Sequence, residues 1–172
     1  MKEWVEALKE YKVLLGEPEK EELKRISYDS RKAEAGDLFL CMKGSKLDSH
    51  DKIPELLEKG VRLFVVEKEL EDLPVELGKT EGLSVIKVEN ARAALARLSA
   101  CYFHYPAKEM LMIGITGTKG KTTTASMVRS ILEEAGYRTG LIGTTGIDYA
   151  GIHEESRNTT PESYTLQETF RK

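Results

Sequence analysis

Residues 113–124 constrain the fold of this chain more than any other segment. They read Ile-Gly-Ile-Thr-Gly-Thr-Lys-Gly-Lys-Thr-Thr-Thr, an apolar run that breaks into a glycine-rich turn. Gly117 and Gly120 let the backbone turn its N–H groups inward, and a helix expected to begin near Lys121 directs its positive dipole end to the same point. Lys121 supplies a mobile cation for terminal phosphates, while the Thr122 hydroxyl is suited to bind Mg²⁺. The segment therefore predicts a phosphate-binding loop.

The loop is a variant of the general nucleotide-binding pattern G-x-x-x-x-G-K-[ST]. The pattern requires its first glycine at position 115, where this chain has Ile115, with glycines at positions 114 and 117 instead. The flanking segments support the assignment, because residues 110–116 read as a buried parallel strand and residues 122–135 have helical apolar spacing. We therefore expect a strand, the loop and a helix in succession.

Composition narrows the class of protein. Of the 172 residues, 26 are basic and 29 acidic, so the formal net charge of −3 argues against nucleic acid as a partner. No apolar run approaches the roughly 20 residues of a membrane span, which predicts no membrane partner. Cys41 and Cys101 have no metal-ligand spacing and are interpreted as reduced thiols of a cytoplasmic protein. Each of His50, His104 and His153 is expected at the surface or in a local hydrogen bond.

Strands and helices alternate along the chain, which predicts an α/β fold. The predicted helices cover residues 2–10, 53–59, 91–103 and 122–135, and the predicted strands cover residues 38–42, 63–66, 84–88, 110–116 and 138–143. Asn90 is expected to cap the third helical segment, and Thr160 to cap a last helix with Pro161 at its first position. A break near Pro106 suggests a small α/β domain over residues 1–108 and, over residues 109–172, the incomplete opening of a P-loop nucleotide-binding domain. A right-handed crossover would make the two strands of that second domain parallel.

Polar groups follow several predicted strands. Residues 143–146 form one such polar segment, and residues 158–161 form another. Polar groups clustered after strand ends are typical of ligand sites in α/β proteins. The segment around Asp29 and Ser30 has two interpretations, an Asx-type turn with local backbone bonds or part of a ligand site.

Five motifs together resemble the Mur ligases of peptidoglycan synthesis. They occur in family order and span nearly the whole chain, which corresponds to about the first third of a typical member. Within the family, the resemblance is to the branch that extends UDP-N-acetylmuramoyl-L-alanyl-D-glutamate. The motifs are Asp29-Ser30-Arg31, Gly36-Asp37-Leu38-Phe39, Gly117-Thr118-Lys119-Gly120-Lys121-Thr122-Thr123-Thr124, Gly140-Leu141-Ile142-Gly143-Thr144 and Thr159-Thr160-Pro161.

The resemblance implies two sets of site residues. It implies ATP phosphates bound by Gly117, Thr118, Lys119, Gly120, Lys121, Thr122 and Thr123, with Lys121 acting in catalysis and Thr122 at Mg²⁺. It implies the UDP-muramoyl dipeptide bound by Ser30, Asn158, Thr159 and Thr160. Two positions depart from the family pattern: Lys119 replaces the commonest asparagine of the loop, and Ser49 replaces a usual glycine, which puts the loop on the UDP side in question.

The implied reaction is ATP-dependent amide ligation. ATP would phosphorylate the D-glutamate side-chain carboxylate, and the amine of a diamino acid, lysine or meso-diaminopimelate, would attack the acyl phosphate. Family members place a carbamoylated lysine, a metal-binding glutamate and an amino-acid-binding domain beyond position 172, so this chain is expected to be inactive alone. Two alternatives stay open: a non-catalytic module that binds UDP-muramoyl compounds and ATP, or another ligase of the superfamily, of the MurF, folylpolyglutamate or cyanophycin type.

Overall fold

The computed structural model describes residues 3–44, 47–74, 80–155 and 158–172. The chain divides into two compact units, Met1–Pro106 and Ala107–Phe170. Each unit contains its own sheet, so each is described by itself.

The first unit is an α/β domain built on a five-stranded sheet. The sheet order is β1-β5-β4-β3-β2, with β2 to β5 parallel and β1 antiparallel at the edge beside β5. Its strands are β1 Lys12–Leu15, β2 Arg25–Ser27, β3 Asp37–Leu40, β4 Leu63–Val66 and β5 Ser84–Lys87, and its helices are α1 Glu3–Ala7, α2 Ile53–Glu58 and α3 Ala91–Tyr102. The α/β architecture predicted for this part of the chain is therefore confirmed.

The central strands explain why this sheet is covered on both faces. Every residue of β3 and β4 is buried, and all of them except Asp37 are apolar, as is typical of parallel strands that are covered on both faces. Phe39 of β3 and Phe64 of β4 contact each other edge to face, with ring centroids 6.4 Å apart. The hydrophobic core therefore lies on both sides of these two strands.

Predicted helix ends agree with the structure at α3 and differ at α1. The Asn90 side chain accepts a hydrogen bond from the Ala93 N–H at 2.9 Å, so the predicted cap is confirmed. The helix predicted over residues 2–10 covers only Glu3–Ala7, and residue 2 lies outside the described part. Lys9 adopts a φ of 66°, a left-handed conformation that ends the helix early.

The second unit combines two helices with a small antiparallel sheet. The elements are α4 Lys121–Glu134, β6 Gly140–Gly143, β7 Gly146–Tyr149, β8 Ile152–Glu154 and α5 Ser163–Arg171. The sheet order is β6-β7-β8. Ala150 and Gly151 connect β7 to β8 with φ values of 48° and 79°, the left-handed pair of a two-residue hairpin turn.

Two predictions for the second unit were wrong. Residues 110–116 form no strand, and β6 pairs antiparallel with β7 rather than parallel with that segment. A strand requires a neighbouring ladder, and Leu111, with 83% of its surface exposed, is not covered by one. The last helix begins at Ser163 rather than Pro161, because Glu162 still has the extended conformation of an N-cap residue.

The structure also bears on the inferences from composition. Cys41 is buried and Cys101 half-buried, and both are free thiols. Burial raises the pKa of the Cys41 thiol well above its ordinary value, which keeps this group protonated and unreactive. No helix in the described ranges combines the length and the apolar sequence needed to cross a membrane.

Candidate functional site

The predicted phosphate loop leads directly into α4. Gly117 and Gly120 have φ values of 156° and 80°, and Gly120 is the N-cap residue of the helix. A Cβ atom added at Gly120 would meet no other atom within 4 Å. The left-handed backbone, rather than lack of space, therefore accounts for the glycine at this position.

The start of α4 can bind an anion. The Thr124 N–H donates to the Gly120 carbonyl at 2.9 Å, which is the first bond of the helical pattern. The N–H groups of residues 121–123 precede that bond and point outward from the helix start. α4 has 14 residues, so its dipole adds a positive potential at the same place. Seven candidate nucleotide-binding residues, 117–123, are thus gathered around one helix N-terminus.

Lys121 already lies over this loop. Its Nζ donates a hydrogen bond to the Gly117 carbonyl at 2.7 Å, so the ammonium group is held beside the N–H groups of the turn. A phosphate oxygen would offer the same ammonium group a charged partner and a stronger, charge-assisted bond. The side-chain position is therefore compatible with the predicted contact to the terminal phosphates.

The predicted contact with Mg²⁺ depends on Thr122. Its exposed hydroxyl lies in the first turn of α4 and is a hard oxygen donor of the type that Mg²⁺ prefers. Among the described residues, no group of three or more His, Cys, Asp or Glu side chains is placed to hold a metal ion. Mg²⁺ usually keeps waters and takes further oxygens from nucleotide phosphates, so a single protein hydroxyl fits that mode of binding.

The structure brings two hydroxyl-bearing segments of the second unit together. Thr144, in the turn after β6, and Thr159 place their hydroxyl oxygens 3.4 Å apart. Asn158, Thr159 and Thr160 are all exposed. Thr144 was not among the predicted site residues, although its place after a strand end was the signal that could have identified it.

Ser30 lies in the first unit, in the segment that follows β2. The Asp29 carboxylate accepts a hydrogen bond from the Arg31 N–H at 3.1 Å, so the Asx-type turn is present. Ser30 is half-buried, and its carbonyl accepts a hydrogen bond from Lys59 Nζ at 2.8 Å. The turn and a ligand role are compatible, because both of these contacts leave the Ser30 hydroxyl available.

The contact between Asp29 and Arg31 in this turn leads to a testable prediction about the pKa of Asp29. Hydrogen bonds from the Arg31 guanidinium to the Asp29 carboxylate, at 2.8 and 2.7 Å, lower the pKa of Asp29 to about 2. Because the folded-state pKa is depressed, this contact stabilises the fold above pH ~4, the ordinary carboxyl value, and the stabilisation is lost as the pH falls towards 2. We expect Arg31→Met to return the pKa of Asp29 to roughly 4, measured by NMR titration of the carboxyl carbon. Lys32→Met should shift it much less, and an unchanged pKa in Arg31→Met would contradict the assignment.

Ser49, the second departure from the family pattern, has a defined structural role. Its hydroxyl accepts a hydrogen bond from the Met42 N–H at 2.7 Å and donates one to the Met42 carbonyl at 3.0 Å. A glycine could make neither of these side-chain bonds. Ser49 therefore stabilises the base of the loop that follows β3.

His50 is buried in the same loop. Its Nδ1 lies 2.5 Å from an Asp48 carboxylate oxygen, and its Nε2 accepts a hydrogen bond from the Glu67 N–H at 3.0 Å. Burial raises the pKa of Asp48, but hydrogen bonds from Lys68 and His50 outweigh this effect and hold it well below its ordinary value. Of the two alternatives predicted for His50, a surface position or a local hydrogen bond, the structure has the local hydrogen bond, to Asp48. The contact with the Glu67 N–H, which follows β4, could not be read from the sequence.

Two family models match consecutive parts of the chain. The model described as the Mur ligase family, catalytic domain, matches residues 22–103. The model described as the Mur ligase middle domain matches residues 115–172. Together they cover both compact units.

Individual proteins agree with these matches. The UDP-N-acetylmuramoyl-L-alanyl-D-glutamate–2,6-diaminopimelate ligase of Clostridium perfringens is 43% identical over 94% of this chain and 32% of its own length. The enzyme of the same name from Bacillus licheniformis is 46% identical over 86% of this chain and 28% of its own length. This chain therefore spans about a third of the curated relatives that it matches. A solved structure of a ligase with that name has a TM-score of 0.58 at 20% identity, over 87% of this chain and 29% of its own, which supports the fold.

Proposed function

Because the chain belongs to the Mur ligase family, we propose that it forms the first part of an ATP-dependent ligase that adds diaminopimelate to UDP-N-acetylmuramoyl-L-alanyl-D-glutamate. The observation that carries the proposal is the loop at residues 117–123, which gathers N–H groups, a lysine and a threonine hydroxyl at the start of α4. The names of the relatives favour diaminopimelate over lysine as the incoming amino acid. The activity is proposed for a protein of the relatives' length.

The loop supplies positioning and charge in this reaction. The N–H groups at the start of α4 bind nucleotide phosphates, and Lys121 exchanges the Gly117 carbonyl for oxygens of the transferred group. Thr122 would provide one oxygen ligand to Mg²⁺, and the bound ion would neutralise charge on the phosphates. The exposed Lys119 adds a second cation near the same anion. These groups stabilise the negative charge that must be held while the γ-phosphoryl group moves.

Uncharged hydrogen-bonding groups serve the second substrate. Asn158, Thr159 and Thr160 in the second unit and Ser30 in the first are proposed to bind the UDP-muramoyl dipeptide. Such groups can form hydrogen bonds with sugar hydroxyls, amides and diphosphate oxygens, and they carry no charge themselves. Within the second unit, the 3.4 Å approach of Thr144 to Thr159 adds a further hydroxyl beside Thr159.

The proposed reaction has two steps. The γ-phosphoryl group of ATP is transferred to the D-glutamate side-chain carboxylate, which gives an acyl phosphate and ADP. The amine of diaminopimelate then attacks the acyl carbon, an amide bond forms, and inorganic phosphate leaves as the amine loses a proton. Holding carboxylate and phosphate in line is the main contribution asked of the protein.

Reconstitution of the reaction tests the proposal. The gene should be expressed at the length of its relatives and incubated with ATP, Mg²⁺, UDP-N-acetylmuramoyl-L-alanyl-D-glutamate and meso-diaminopimelate, with lysine in a parallel reaction. We expect one ADP per amide bond, with diaminopimelate strongly preferred, measured by coupled ADP release and mass spectrometry. Tight binding of the UDP-muramoyl dipeptide without turnover would replace the ligase by the binding-module alternative. Turnover only with another acceptor would indicate a different ligase of the superfamily.

A further inference from the structure

The segment that presents Ser30 is fixed by contacts from outside itself. We call residues 28–36, which connect β2 to β3, the Ser30 loop. One contact comes from a partly buried ion pair at its base, between Arg25 and the buried Asp37. Another comes from Lys59, which is 29 residues distant from Ser30 in sequence. Neither contact is explained by the turn at Asp29.

The ion pair joins the starts of the two strands that the loop connects. Asp37 is 4% exposed and accepts hydrogen bonds from Arg25 Nε at 3.1 Å and Nη2 at 2.7 Å. The same Nη2 donates to the Lys32 carbonyl at 2.9 Å, and the Asp37 carboxylate also accepts the Glu34 N–H at 3.0 Å. Removing Arg25 would leave the buried Asp37 carboxylate without its charged partner, which is costly, although the net stabilisation that such a pair gives over an apolar replacement is commonly small. Its clearest effect here is to fix the second half of the loop.

Lys59 fixes the first half. It lies directly after α2, and its Nζ donates to the Ser30 carbonyl at 2.8 Å while it pairs with Glu55 at 2.9 Å. The contact involves the backbone of Ser30, so it sets the direction in which the side chain leaves the loop. Lys52 makes a similar ion pair with the other oxygen of the Glu55 carboxylate, at 3.4 Å.

We propose that Lys59 and the Arg25–Asp37 pair are positioning residues that hold the Ser30 hydroxyl in place for the nucleotide-sugar substrate. The inference rests on the proposed function, since it takes Ser30 as a contact of the UDP-muramoyl dipeptide. A loop that is ordered before binding loses less conformational freedom on binding, so the contacts raise affinity without touching the ligand. Removing a positioning residue should therefore matter only while the Ser30 hydroxyl is present.

A double-mutant cycle tests this dependence. Binding of UDP-N-acetylmuramoyl-L-alanyl-D-glutamate to the relatives'-length protein should be measured by calorimetry for Lys59→Met, Ser30→Ala and the double variant. We expect each single change to raise Kd by about 3- to 10-fold, the loss of one hydrogen bond. The double variant should bind no more weakly than Ser30→Ala alone. Arg25→Lys, which keeps the charge beside Asp37 but not the fork of donors, should show the same pattern.

Matched controls separate positioning from general stability. Lys52→Met removes a lysine from the same ion-pair group and should leave Kd unchanged, and ATP affinity should be unchanged in every variant. The inference would be overturned if the losses of affinity multiplied in the double variant. It would also be overturned if Lys52→Met had the same effect as Lys59→Met, or if Ser30→Ala had no effect. If the unaltered protein ligates the dipeptide and the variants give any of these results, the inference alone fails. If the unaltered protein does not bind the dipeptide, the proposed function fails with it.

Discussion

Replacing Lys121 by alanine is expected to lower the rate of ATP-dependent ligation by about 10³-fold, the size of effect seen when one preorganised charge-stabilising donor is removed. The reason is the position of the side chain, which holds its ammonium group over the turn, 2.7 Å from the Gly117 carbonyl. The affinity for the UDP-muramoyl dipeptide should change less than about twofold, because Lys121 is not among the residues proposed to bind the dipeptide. Steady-state kinetics and calorimetry on the relatives'-length protein measure the two quantities.

Lys119 provides the control for this prediction. It lies in the same exposed turn, two residues before Lys121, and occupies the position where the family commonly has asparagine. Lys119→Asn removes the second cation but restores the residue common in the family, so it should lower the activity far less than Lys121→Ala. Equal losses in the two variants would mean that the effect of Lys121→Ala is a general effect of reduced charge in the loop. Simultaneous loss of ligation and of dipeptide binding in Lys121→Ala would mean that the two sites are not separable.

Replacing His50 by alanine is expected to destabilise the first unit by about 2–4 kcal/mol, through a cavity and an unpaired backbone amide. His50 is 1% exposed and connects the Asp48 carboxylate to the Glu67 N–H. Unfolding in urea can be followed by the fluorescence of Trp4, the only tryptophan, which is buried in this unit. The measurement therefore reports the unit that contains His50.

His153 is the matched control for His50. It also pairs with an aspartate, since its Nδ1 lies 2.9 Å from an Asp148 oxygen, but its side chain is 55% exposed. His153 lies in the second unit, so its variant needs a readout other than Trp4, such as far-ultraviolet circular dichroism of the whole chain. Because an exposed pair contributes little, His153→Ala should change the free energy of unfolding of that unit by less than about 0.5 kcal/mol. Equal losses for the two variants would refute the view that burial, rather than the histidine–aspartate contact itself, makes His50 important.

Local sequence was sufficient for the parts of this protein whose conformation depends on near neighbours. The cap at Asn90 and the start of α4 after Gly120 follow from side-chain chemistry and backbone preference within a few residues. The buried strands β3 and β4 follow from the apolar runs at residues 38–40 and 63–66. Strands β1 and β2 were not predicted because they are only four and three residues long and carry polar or charged residues.

By itself the sequence determined the glycine turn that leads into α4 and the α/β character of the first unit, because both follow from local patterns of residues. It also determined membership in the family, through motifs that are distributed along the chain. Only the tertiary structure decided that residues 110–116 form no strand and that β6 pairs with β7, because strand pairing depends on which ladder is within reach. It also decided the contacts of Lys59 with Ser30 and of His50 with Glu67. These pairs are 29 and 17 residues apart, and folding, not local pattern, brings such side chains to one place.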